Sequence, residues 1–296
     1  MSLLDILILA VVQGLAELLP VSSSAHVIVA EKLLGIKDPG APPMSLLLVM
    51  LHTGTMLAVI LYFWRAWKQS IFASRAVLRQ QAVRLAIATL LTAAVGGPLI
   101  LGIEKGMEKT GYLSPDASGR VPHAEIELLF GNLPLVASAL TAGGILILVA
   151  GLLQHRAARG RAVGVREAAW MGAVQGLCLP FRGFSRSGAT ISTGLLLGAV
   201  KARVEEFSFA LAVLITPAVI GREVWRLIKD QHPAGSPGVS WALFAPSLLG
   251  MVLAFLAGLL ALRWLSRWLE GGRWYLFGVY CLLAAAVVLV LHSRGV

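Results

Sequence analysis

Six stretches of this chain, 44–64, 82–103, 130–153, 207–228, 241–262 and 274–292, are each long and apolar enough to cross a lipid bilayer as a helix. About 20 apolar residues at about 1.5 Å rise each match a hydrocarbon core of about 30 Å. Nothing constrains the fold more, because backbone groups in lipid must be hydrogen-bonded internally, and uninterrupted runs of this length do so as helices. Composition agrees. Of 296 residues, 57% are hydrophobic and 14% charged, whereas a soluble domain carries about 25% charged residues. The expected fold is an all-α polytopic membrane protein, with residues 1–296 forming a single membrane domain.

The loops orient the spans. Residues 65–84 hold Arg65, Lys68, Arg75, Arg79 and Arg84, and 154–166 hold Arg156, Arg159, Arg161 and Arg166, with no acid in either. Residues 263–273 hold Arg263, Arg267 and Arg273 against Glu270, whereas 104–129 carries Glu104, Glu108, Asp116, Glu125 and Glu127. Alternating spans put the three basic loops on one face, which the positive-inside rule assigns to the cytoplasm. The net charge of +10 is thus a topology signal, and nucleic-acid binding, which needs a continuous basic face, is not expected. Nor is a cleaved signal peptide, since the N-terminus lacks a basic region and carries Asp5 and Glu17. Cys178 and Cys281 lie in apolar segments and are expected to be buried small hydrophobes, without a disulfide or metal role. Trp64, Trp67, Trp241, Trp264 and Trp268 sit near span ends and are expected to anchor at the interface.

Two apolar regions are broken. Residues 1–43 are interrupted by "PVSSSAH" and residues 167–200 by "LPFRGFSRSGAT". Each is expected to form two half-helices around a polar turn, which survives at membrane depth only when buried in protein or facing a wet cavity. The breaks are related. "VQGL" begins at Val12 and again at Val174, a Ser-rich turn follows ten and eleven residues later, and three full spans come after each. Because three is odd, the second copy must be inverted. The expected architecture is an inverted repeat, 1–153 and 167–296, with six transmembrane helices and two re-entrant helix pairs, at 1–43 and 167–200.

Both turns lead into a helix N-terminus. Pro20 ends one half-helix and Ser22 can cap the next, which runs to Gly35; in the second copy Gly183 loosens the chain and Ser185 caps. Unpaired N–H groups and the positive end of the helix dipole then face the break, an arrangement that binds phosphate. Ser22, Ser23, Ser24, Ser185, Ser187 and Thr190 add hydroxyls, and Arg186 adds a planar cationic fork. His26, four residues after Ser22, can serve as base, acid or nucleophile. Glu17 beside a phosphate implies a divalent cation, Mg²⁺ or Ca²⁺, with Gln13 one helical turn away as a second ligand. Ser192 and Thr193 read as helix-interface hydroxyls. His52, in "LHTGT", either supports the site or is a packed polar residue, and Arg182 and Arg203 can simply face the cytoplasmic interface.

"QGLAELLPVSSSAH" and "GFSRSGATIS" closely resemble the two signature motifs of bacterial undecaprenyl-diphosphatases, the bacitracin-resistance family, and "LHTGTMLAV" resembles a third common segment. The resemblance runs in order along nearly the whole chain. It implies a phosphatase of the bacterial cytoplasmic (inner) membrane that removes one phosphate from undecaprenyl diphosphate. It also implies divalent-cation dependence and a site open to the periplasmic side. By position, Glu17, Ser23 and His26 match the first motif, and Ser185, Arg186 and Thr190 the second. Two positions depart from the pattern: Gln13 stands where the family usually has glutamate, and Arg182 where it usually has proline. Arg182 in that position either strengthens phosphate binding or points away. Partners expected are the membrane, a polyprenyl diphosphate lipid and, for assembly, a second copy in a homodimer. The alternative from a different class is a polyprenyl-phosphate transporter with little or no hydrolysis.

Overall fold

A computed structural model describes residues 2–36, 42–110, 126–153, 162–230 and 241–295. Among these the chain forms ten α-helices, one 3₁₀ turn at Ile126–Leu129, and no strand. In order the helices are α1 (Leu3–Leu18), α2 (Ser23–Leu33), α3 (Pro42–Ser70), α4 (Arg75–Lys109), α5 (Leu133–Leu153), α6 (Val165–Cys178), α7 (Arg186–Leu196), α8 (Lys201–Asp230), α9 (Trp241–Glu270) and α10 (Tyr275–Ser293). Arg156, Arg159, Arg161, Asp116 and Glu125, which helped orient the spans, lie outside the described residues.

Five segments are long and apolar enough to cross a membrane: Leu46–Ser70, Arg75–Lys109, Leu133–Leu153, Phe244–Glu270 and Tyr275–Ser293. The protein is therefore a multi-pass membrane protein. Helix α8 covers the sixth expected stretch but is not among the five. Its N-terminal end carries Lys201, Arg203, Glu205 and Glu206, of which Glu205 is buried at 3% exposure and accepts a 2.5 Å hydrogen bond from Ser266, which in turn accepts one from Tyr62 at 3.0 Å. Arg203 pairs with Glu206 at 2.9 Å.

The helices also outrun their apolar stretches. The expected basic loop 65–84 is mostly helix, because α3 continues to Ser70 and α4 begins at Arg75. Long cationic side chains can reach polar surroundings while the backbone keeps its helical bonds. Trp64 and Trp264 are exposed near helix ends as anchors should be, but Trp67 is 5% exposed and donates to the Glu206 carbonyl, so it belongs to the core. The side chain of Trp241 lies outside the described residues. Cys178 and Cys281 are both free and buried, as expected.

Helix packing brings the broken segments together. Helix α1 packs on α9 and α6 on α4, while α5 packs on α10 and α3 on both α8 and α9. The two glycines of "VQGL" permit the first two contacts. A Cβ on Gly14 would lie 2.7 Å from the Ala254 carbonyl oxygen, and one on Gly176 would lie 2.7 Å from that of Thr92. Small residues allow such close backbone approach between apolar helices, where dispersion rather than water exclusion holds them.

Candidate active site

The turn after α1 is built as its sequence predicts. Helix α1 stops at Leu18, and Ser22 caps α2 by accepting from the Ala25 N–H at 3.4 Å. Ser22 has φ 68°, the only positive φ outside glycine among the described residues. Such a conformation strains an L-residue and is tolerated where surrounding bonds fix it. Here His26 fixes it: its Nδ1–H donates to the Ser22 carbonyl at 2.7 Å. The second turn avoids that strain with Gly183 at φ 110°, and Ser185 caps α7 by accepting from the Gly188 N–H at 3.1 Å. Gly183 also lies against α5, where a Cβ would come 2.4 Å from the Val136 carbonyl oxygen.

The two turns meet. Ser22, Ser23 and Ser24 from one and Ser185, Arg186 and Ser187 from the other line a single cavity of about 170 Å³, together with Glu17, His52 and Arg182. Ser187 Oγ donates to the Leu19 carbonyl at 3.4 Å and so ties α7 to the first turn. First-turn N–H groups of both helices that lack intrahelical acceptors thus face one space. Glu17, Arg186, Ser187, His52 and Thr216 also border a narrow apolar crevice between α3 and α8, walled by Met56, Val59, Phe209, Ala212 and Val213.

Glu17 is the hub. Its Oε2 accepts from Ser23 Oγ at 2.5 Å and from Gln13 Nε2 at 3.0 Å, and its Oε1 accepts from Arg186 Nη2 at 2.9 Å. The carboxylate and guanidinium are 12% and 30% exposed, so this ion pair is largely desolvated. Removing either partner from such a pair leaves a charge uncompensated, which costs about 3–5 kcal/mol. His52 donates from Nδ1 to the Leu48 carbonyl at 2.8 Å, leaving Nε2 to accept from Gln13 at 3.3 Å. That nitrogen lies 3.8 Å from Glu17 Oε2, which gives His52 the supporting position.

Two expected site residues are not on the cavity wall. His26 turns toward α10, where Tyr280 O–H donates to Nε2 at 2.7 Å and the two rings stack at 5.6 Å. Thr190 is fully buried and shares a 2.6 Å hydrogen bond with Ser208 of α8 while donating to the Arg186 carbonyl at 2.9 Å. Its hydroxyl holds the first turn of α7 instead of facing the cavity. Conversely, Arg182 lines the cavity. Tyr280 and Ser208 escaped the sequence reading. A lone hydroxyl inside an apolar run is the only trace either leaves in the sequence.

Among the described residues no group of three or more His, Cys, Asp or Glu side chains can cage a metal. Glu17 supplies one carboxylate, and its oxygens already receive Ser23, Gln13 and Arg186. That donor set fits a cation bringing most of its own ligands as substrate oxygens and water, the habit of Mg²⁺, and not a dedicated protein cage.

Known proteins share this chain's length and order. It is 55% identical over 98% of both chains to a protein named undecaprenyl-diphosphatase 2 from Acinetobacter baylyi. It is 34% identical over 97% of both to one named undecaprenyl-diphosphatase from Desulfosudis oleivorans. A Thermus thermophilus protein of that name is 32% identical over 98% of this chain and 97% of its own. Residues 6–287, which include both turns, match the family described as bacitracin resistance protein BacA, and the chain belongs to that family.

Proposed function

We propose that the protein is an integral membrane phosphatase that hydrolyses undecaprenyl diphosphate to undecaprenyl phosphate and inorganic phosphate, recycling the lipid carrier of cell-wall synthesis. The observation that carries this reading is the meeting of two serine-capped helix N-termini around the Glu17–Arg186 pair in one cavity. Helix ends, hydroxyls and a guanidinium stabilise phosphoryl oxygens, and phosphoryl transfer depends chiefly on positioned charge of this kind.

The short Ser23–Glu17 contact supports Ser23 as nucleophile. Glu17 takes the proton, Ser23 Oγ bonds to the terminal phosphorus, and the bridging P–O bond breaks with its electron pair leaving on undecaprenyl phosphate. Water then attacks the phosphoserine phosphorus, its proton passing to Ser23 Oγ as the P–Oγ bond breaks, and Glu17 returns its proton to the departing phosphate. Arg186, released from Glu17 as the phosphate arrives, follows the phosphoryl oxygens. His26 maintains the strained Ser22 turn in this scheme. A divalent cation, Mg²⁺ or Ca²⁺, held by Glu17 with Gln13 beside it, would neutralise diphosphate charge. The crevice between α3 and α8 offers the apolar tail a path toward lipid.

The architecture that goes with this reading is an inverted repeat of 1–153 and 167–296, with six spans and two re-entrant pairs. The reciprocal contacts favour it: the first helix of each half lies on the fourth of the other, and the two fifth helices lie together. We place the protein in the bacterial cytoplasmic membrane with the cavity opening to the periplasm. The same reciprocity suits a transporter, in which lipid phosphate would cross unchanged.

The test is phosphate release from undecaprenyl diphosphate by purified protein in nanodiscs with added Mg²⁺. Release above the protein-free rate, lost in Arg186→Gln, is expected. Lipid crossing in liposomes with no phosphate release would overturn hydrolysis in favour of transport.

A further inference from the structure

Arg182 is the second permanent cation on the cavity wall, and nothing in the catalytic scheme uses it. Its guanidinium carbon sits 4.0 Å from the centre of the Phe130 ring. Glu31 of α2, 9% exposed, lies within electrostatic reach. The ring holds a side chain that would otherwise sample many rotamers. Stacking engages the face of a guanidinium, whereas phosphate recognition uses its edge, so the two are compatible.

The charge on the wall gives the residue a role. Glu17 and Arg186 neutralise each other at 2.9 Å. Without Arg182 the lining residues would present no net charge to a ligand bearing two phosphoryl groups. With it, one cation faces the phosphate that reacts at Ser23 and another faces the phosphate that does not. The two arginines stand four positions apart on either side of the Ser185 cap.

We propose that Arg182 is a specificity-determining residue that binds the second, non-reacting phosphate and so selects diphosphate headgroups over monophosphates. The inference rests on the assignment of this cavity to phosphate. Its chemical consequence is preferential release of the monophosphate products, which cannot span both arginines.

The experiment is calorimetric titration of the full-length protein in nanodiscs with methylenediphosphonate, whose P–C–P bridge resists hydrolysis, and separately with inorganic phosphate. In Arg182→Gln, affinity for methylenediphosphonate is expected to fall about tenfold, the loss of one charge-assisted contact. Phosphate affinity should stay within twofold, which also reports an intact fold. The double variant Arg182→Gln/Glu31→Gln, which leaves no carboxylate unpaired, should show the same selective loss. Equal weakening of both ligands, or of neither, in the double variant would overturn the proposal. Hydrolysis is measured on the same samples. Selective loss without any turnover would support Arg182 while removing the phosphatase reading, and turnover without selective loss would do the reverse.

Discussion

The turn between α1 and α2 and the turn between α6 and α7 begin from the same plan. Ser22 and Ser185 cap the helices that follow, and each cap oxygen lies 3.4 Å from the hydroxyl two residues on, Ser24 or Ser187. They part at the first helical residue, which is Ser23 in one and Arg186 in the other, and both reach Glu17. The first turn also carries Glu17 five residues before its cap and His26 four after, where the second has Pro180 and Ala189. What the turns share builds two helix ends. What they do not share divides the chemistry: proton transfer and the hydroxyl on one side, fixed positive charge on the other.

That division is open to breakage. The largest effect is expected at the first helical position of the first turn: Ser23→Ala should lower kcat/KM about 10⁴-fold, and Glu17→Gln comparably, in phosphate-release assays. Arg186→Gln, the matching position of the second turn, should lower it about 10³-fold, in line with loss of one preorganised charge. Ser24→Ala and Ser187→Ala, which alter only the shared plan, should each cost less than about tenfold. A larger loss at Ser187 than at Ser23 would reverse the assignment of roles.

Two smaller changes sharpen the comparison. Gln13→Glu replaces an amide donor to Glu17 with a second carboxylate; the Mg²⁺ concentration for half-maximal activity should fall about tenfold, and activity in chelator should drop below wild type. Ser22→Gly should raise stability by about 0.5–1 kcal/mol, because relief of the positive φ outweighs the lost cap, whereas Ser185→Gly should lower it by about a few tenths. Denaturant unfolding in micelles reads both.

Local features of the site were legible in the sequence because they depend on neighbours in the chain. Pro20, the two serine caps and the "VQGL" glycines act within a few residues, and the structure shows each where the pattern puts it. The Glu17–Arg186 ion pair was not legible, because its partners stand 169 positions apart on different helices. Side-chain direction was not legible. His26 faces Tyr280, Thr190 faces Ser208 and Arg182 faces the cavity because of partners on other helices, which periodicity does not reveal. Burial of charge was equally hidden: Glu205 of α8 is satisfied by Ser266 of α9, a distant partner that hydropathy alone cannot see.

The pairing of Glu17 with Arg186 carries a consequence for biogenesis. Glu17 and Arg186 are 169 positions apart in the chain. At about 5–20 residues per second, a ribosome needs on the order of tens of seconds to make the intervening segment. Through that interval the nascent first half holds an acidic, hydroxyl-rich bend with no guanidinium to meet it, in a bilayer that penalises such exposure. Insertion of this protein must therefore shelter an unfinished polar bend until α7 emerges.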